Sequence, residues 1–292
     1  MTPSPARRWR LAILGAPALF LLVVFFVLPY GEIVMMSFRT ASSSAPYGDG
    51  LTLANYARMF ADGHYLGILG ETVLVGTSIT AICLLISFPI ALHLSSVGDR
   101  WHTLFYACVV SPLLVGVLVR NFGWMIILSF NGPINQILLA LGLIERPVRL
   151  LFTVEVVVLA LVHVFIPFMV LPITTALRNI PPSLYEASRS LGAGRFSTFW
   201  RVTLPLSFPG VQSGVILVFV LAISAYVTPV LLGGQFVVLM PTVIVQQLIA
   251  AFAWPFGAVL AMILTLSTLS CVLVFAFATR GLVRRAAIGR QP

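Results

Sequence analysis

Six stretches of this chain, roughly residues 11–30, 71–94, 104–129, 152–176, 211–232 and 257–279, stay apolar for the length of about 20 residues that a helix needs to cross a bilayer. No other feature constrains the fold as strongly. Inside lipid every backbone N–H and C=O must be satisfied by the protein itself, which leaves only helices or closed barrels. The runs are far longer than a barrel strand and show no sustained period-two alternation, so helices are the expected form. Pro17, Pro89, Pro112 and Pro167 fall inside these runs and are expected to kink the helices, since neighbouring helices can take up the freed carbonyls.

Charge supports the same reading. Only 9% of the 292 residues are charged and 60% are hydrophobic, whereas a soluble domain carries about 25% charged residues. All 17 basic residues are arginine, and they sit between apolar runs rather than in one patch, which argues against nucleic acid as a partner. With both termini on one face, that face holds Arg7, Arg8, Arg10, Arg100, Arg178, Arg189, Arg195, Arg201, Arg280, Arg284, Arg285 and Arg290. The other face holds Arg39, Arg58, Arg146 and Arg149, and Arg120 lies within a span. This bias places both termini in the cytoplasm. Arg7, Arg8 and Arg10 before the first apolar run resemble a signal peptide, but the run is long and lacks a small-residue cleavage site, so it reads as an uncleaved span. Cys83, Cys108 and Cys271 lie apart in apolar runs, and the four histidines have no carboxylate at ligand spacing. No metal or cofactor site is expected.

The connections divide into a tail of residues 1–10, an outer loop 31–70, outer segments 131–150 and 233–256, an inner loop 177–210 and a tail 280–292. The loop 31–70 is polar and rich in Ser and Gly, and little fold of its own is expected there. Ile134–Leu143 and Val243–Phe252 are too short to span and read as interfacial or re-entrant helices. The inner loop carries the most information. Ser183 is placed to N-cap a short helix, with Glu186 three residues on completing a capping box, and Gly192 is placed to take the left-handed turn that ends it. A second short helix over about 195–203 is expected to stop at Leu204-Pro205. Leu184, Ala187, Ser188 and Leu191 fall at helical spacing on one face, and the small Ala187 and Ser188 would let another protein approach closely. The residues alone allow two readings of this loop: a docking element, or an interfacial amphipathic segment in which Glu186 is only a cap.

The run Glu186-Ala187-Ser188, followed by Gly192 and then Leu204-Pro205, resembles the EAA loop of ABC importer permeases, with Ser188 standing where the triplet has its second Ala. The resemblance implies an all-α, six-span type I ABC importer permease fold, with residues 71–279 as the core transmembrane domain. It also implies that the loop forms a coupling helix seated in a cytoplasmic ATPase, with Glu186, Ala187, Ser188, Leu191 and Gly192 at the contact. Implied partners are a second permease subunit, two ATPase subunits, a periplasmic solute-binding protein and the lipid of a bacterial inner membrane. Leu53-Ala-Asn-Tyr56, Val119-Arg-Asn-Phe-Gly-Trp124 with Gly132-Pro-Ile-Asn135, and Tyr226-Val-Thr-Pro-Val-Leu-Leu-Gly-Gly234 resemble spermidine/putrescine permeases of the first-subunit type. Permeases for opines, ferric iron and other solutes share parts of these motifs.

A charge within the bilayer marks a functional position by default. Arg120 lies about 24 Å along the third run at roughly 1.5 Å per residue, at a depth similar to Glu71 and Glu155. It is expected either to form a salt bridge with one of them or to act as a selectivity or gating charge. For a cationic polyamine, Glu71, Glu155, Trp124 and Tyr226 could line the path, and an unpaired Arg120 would argue for an anion instead. Ser224, Tyr226 and Thr228 could bond a polar solute or a neighbouring helix. His163, mid-span, is expected to pack or to bond backbone. The chain has no GxxxxGK[ST] phosphate loop, so ATP hydrolysis is expected on another chain. An ion-coupled transporter would need intramembrane acids and an internal repeat, and a membrane-embedded enzyme would need clustered His, Asp or Glu. The sequence has few such acids, no convincing repeat and no such cluster.

Overall fold

A computed structural model describes residues 15–42 and 45–288 of the protein. The expected tail 1–10, the first residues of the first span and residues 289–292 lie outside the described residues. Among the described residues the regular structure is helical apart from one isolated bridge, Arg39 to Leu51, and they divide into two compact units, residues 15–66 with 243–265 and residues 67–242 with 266–288.

The first unit opens with α1 (Gly15–Ser37), a 23-residue apolar helix with a π-helical stretch at Val23–Val27. Leu19, Phe20, Phe25 and Phe26 are all exposed on it, as expected of a helix whose solvent is lipid. Its end is tied to α2 (Ala54–Ala61). Ser37 Oγ pairs with the Tyr56 hydroxyl at 2.8 Å, Asn55 Nδ2 donates to the Arg39 carbonyl at 3.0 Å, and the Phe38 and Tyr56 rings meet at 5.3 Å. The outer loop 31–70 therefore has a fold of its own, contrary to its polar, Ser/Gly-rich composition. Arg58 stacks over Phe256 at 4.3 Å, and Tyr65 meets the same ring edge-on at 5.0 Å.

In the second unit, α3 (Gly63–Ser96) carries the second span. It is followed by α4 (Asp99–Leu114) and α5 (Val117–Ile127), which meet at a 93° bend. After the short α6 (Pro133–Ala140) come α7 (Val154–Arg178), α8 (Pro182–Ser190) and α9 (Arg195–Ile223). A π turn at Pro229–Gly233 leads to α10 (Met240–Ala250) and α11 (Trp254–Ile288), of which residues 243–265 belong to the first unit. Among the described residues five helices are long and apolar enough to cross a bilayer, and the sixth crossing exists only if bent α4–α5 counts as one. The outer segments read as too short to span do hold short helices, α6 and α10.

Two boundaries differ from expectation for one reason. The segment 195–203 does not stop at Leu204-Pro205 but runs on into the fifth span as the continuous 29-residue α9. A π-helical stretch at Phe199–Thr203, closed by Leu204 N–H to the Phe199 carbonyl, resets the register. Pro205 then falls in the first turn of the following α segment, where its missing N–H costs nothing. The far end of the span breaks correspondingly early, at Ser224. Helix α11 likewise continues to Ile288, through most of the expected tail.

The core of this unit lies between α3, α7 and α9, where Ile79, Cys83, Val157, Met169, Val170, Ile173 and Val218 are fully buried. Lipid tails are as apolar as leucine, so such helices associate by close packing rather than by leaving water. Gly210 shows how close. A Cβ built there would collide with the Pro172 carbonyl and lie 2.6 Å from the Ala176 Cβ, so α9 can approach α7 only without a side chain at that position.

Candidate functional site

The loop between the fourth and fifth spans is a pair of helices joined by a closed turn. Ile180, buried in the core, anchors its start. Helix α8 begins with Pro182 at its first position and Pro181 at the cap, with no side-chain cap bond. The expected Ser183–Glu186 capping box is therefore not formed: the helix starts earlier, on a proline whose fixed φ suits that first position. Gly192 behaves as expected. With φ at +75° it lets the Gly192 N–H reach the Arg189 carbonyl at 2.9 Å and the Ala193 N–H reach that of Ser188 at 3.1 Å, the paired closure of a Schellman end.

The faces of α8 differ from the sequence reading. Leu184 and Tyr185 pack on the core, and Ser188, one turn after Leu184, is only 9% exposed. Its Oγ pairs with Thr198 Oγ1 at 2.8 Å. Leu184 and Ser188 thus form an inward stripe, while Glu186, Ala187 and the 87%-exposed Leu191 remain on the free side. Residues four apart share a face, which separates Leu184–Ser188 from Ala187–Leu191. Ser188 is not on the free surface.

The second candidate region is the elbow of α4 and α5. Pro112 withholds an N–H from the Cys108 carbonyl, and Ser111 Oγ takes that carbonyl at 2.8 Å. At the elbow Arg120 folds back, and its Nη1 donates to the carbonyls of Pro112 at 2.8 Å and Val115 at 3.2 Å. The expected salt bridge to Glu71 or Glu155 is absent. Both acids are exposed, and Glu155 sits in the first turn of α7 behind the Thr153 cap, where a negative charge suits the helix dipole. The α4 end lies in an apolar run, where a helix leaves carbonyls that need a donor from the protein, and Arg120 supplies it to two of them.

Asn121, which the sequence offered only as part of a motif, is 1% exposed and donates to Thr228 at 3.2 Å. That bond ties α5 to the turn before the π segment Pro229–Gly233. The signal for it was an amide directly beside a charge inside an apolar run. Trp124 meets His163 edge-on at 5.8 Å, and the buried His163 Nδ1 has no partner. On α5, Asn121 is thus joined to the turn at Thr228 and Trp124 to α7, while Arg120 bonds back to the end of α4. Ser224 is exposed and bonds the Val220 carbonyl of its own helix at 2.8 Å, and Tyr226 is exposed without being drawn to Arg120.

The remaining motif residues prove to be fasteners. Asn135 holds Val148 from both sides, at 2.9 and 3.0 Å, and also bonds the Ser129 carbonyl. Gly234 takes φ +57°, where a Cβ would lie 2.8 Å from the Phe152 ring.

Residues 84–287 match the model of the family described as the binding-protein-dependent transport system inner membrane component. The chain belongs to this family. It is a multi-pass inner-membrane permease. Among its relatives, the spermidine/putrescine transport system permease protein PotB of Haemophilus influenzae is 34% identical over 89% of this chain and 90% of that one. The protein of the same name from Escherichia coli K12 is 33% identical over 89% of this chain and 94% of its own. In fold, the permease resembles a chain of a bacterial ABC transporter involved in the import of the acidic polysaccharide alginate, with a TM-score of 0.75 at 17% identity over 94% of this chain and 96% of that chain. The matched family region takes in the α8 loop, the Arg120 elbow and every core helix of the second unit except the first part of α3.

Proposed function

We propose that this permease is one of two membrane subunits of an ATP-driven importer that carries polyamines such as spermidine and putrescine into the cell. Both termini lie in the cytoplasm, and ATP is hydrolysed by two separate ATPase subunits. A periplasmic binding protein delivers the solute. The solute class rests on the identity to spermidine/putrescine permeases across nearly the whole chain. The observation that carries the coupling role is the free side of α8: Glu186, Ala187 and Leu191 stand exposed on a short helix locked by the left-handed Gly192. Such a face offers a partner a small, rigid knob.

In this reading, closure of the ATPase pair pushes on α8 and switches the bundle between outward and inward access. Trp124, Tyr226, Glu71 and Glu155 are proposed to favour a cation along the path, with Ser224 and Thr228 as polar contacts. Arg120 keeps its positive charge, but its Nη1 is held back on the carbonyls of Pro112 and Val115 at the α4–α5 elbow. The test is ATP-dependent spermidine uptake into proteoliposomes holding the complete transporter. Glu186→Trp should abolish uptake or release the ATPase while membrane insertion stays normal. Full uptake by that variant would remove the docking role, and a wild-type transporter that ignores polyamines would remove the solute.

A further inference from the structure

Ser188 stands where the EAA loop that this segment resembles has alanine, and its hydroxyl is neither free nor facing a partner. It is buried against the start of α9, paired with Thr198. Between the two residues the backbone closure at Gly192 holds the chain only as far as Ala193. The link from there to α9 is Gly194, where a Cβ would meet nothing within 4 Å. A push on α8 alone would be taken up at that link. Thr198, by contrast, is the last residue before the π stretch of α9, and from there the helix runs unbroken to Ile223. At the same level Phe199 meets Phe88 of α3 edge-on at 5.8 Å, beside Pro89.

We propose that Ser188 and Thr198 are positioning residues whose hydroxyl pair is a strut across the α8–α9 joint. It makes α8 and the first turn of α9 move as one piece, so displacement of α8 enters the membrane through α9 instead of being lost at the Ala193–Gly194 link. This rests on the coupling role given to α8 above. The strut spans that link with one hydrogen bond, and it works only while both hydroxyls are present.

The test uses the complete transporter in proteoliposomes and reads solute taken up per ATP hydrolysed, together with retention of the ATPase on the membrane. Ser188→Ala, Thr198→Val, the double variant, and the swapped pair Ser188→Thr with Thr198→Ser are compared. Ser188→Ala installs the residue of the resembling signature, so it is expected to fold. Each single change should lower the uptake-to-hydrolysis ratio about two- to tenfold, the range a single buried hydrogen bond spans, with the ATPase still bound. The double variant should fall no further than the worse single, because the two residues form one unit, and the swapped pair should recover most of the ratio. Unchanged ratios in the singles, additive losses in the double, or no recovery by the swap would each overturn the strut. If instead the wild-type transporter retains no ATPase, the coupling role itself fails.

Discussion

Two helices of this permease end at sharp turns, α8 at Gly192 and α4 at Gly116, and they close their carbonyls in different ways. Outside the apolar spans, α8 uses only backbone. A left-handed glycine turns two N–H groups onto the carbonyls of Arg189 and Ser188. Inside the apolar run, Gly116 keeps a negative φ of −57° and builds no such closure. There Ser111 takes the carbonyl freed by Pro112, and Arg120 takes two more. Water can finish a poor helix end at the surface, but in lipid a side chain must do it. A guanidinium with five N–H donors is a costly but effective choice. The charge that looks most functional in the sequence is the one most engaged in holding the backbone.

The largest expected effect tests that engagement. Arg120→Ala strands two carbonyls and should destabilise the purified permease complex by about 2–5 kcal/mol, read as the shift of its unfolding transition. Both contacts come from one nitrogen, so Arg120→Lys should recover more than half of the loss. A neutral Arg120→Ala would show that the elbow needs no clip. At the surface end the same kind of cut should cost less. Gly192→Ala forces φ +75° on a residue with a Cβ, at about 1–2 kcal/mol, and should appear as faster amide exchange at residues 191–193 without global loss. Equal damage at both sites would erase the contrast between lipid and water. The smallest effect belongs to Asn121 and Thr228. A double-mutant cycle of Asn121→Ala and Thr228→Val should give about 0.6 kcal/mol, as hydrogen bonds between membrane helices do on average. A coupling near zero would detach the elbow from the turn beyond α9.

Particular residues show where sequence reasoning stops. The end of α8 was legible because Gly192 answers a local demand, one positive φ at the close of a short helix. Fidelity was also high for α7, expected over 152–176 and found over Val154–Arg178. The partner of Arg120 was not legible. Its carbonyls lie five and eight residues back, and only the 93° bend brings them within reach. Ser188 looked like a free small residue because its spacing from Ala187 and Leu191 says nothing about where Thr198 will be.

The sequence by itself determined the lipid solvent, the helical form, most of the crossings and the turn at Gly192. These follow from the length of apolar runs and from the conformational range of single residues, which need no knowledge of neighbours. Only the tertiary structure decided that α9 is one continuous helix, that α4 and α5 meet at a sharp bend, that Arg120 is a backbone clip and that Ser188 faces inward. Each of these depends on the direction the chain takes after a break, and that direction is set by close packing among helices rather than by any one residue.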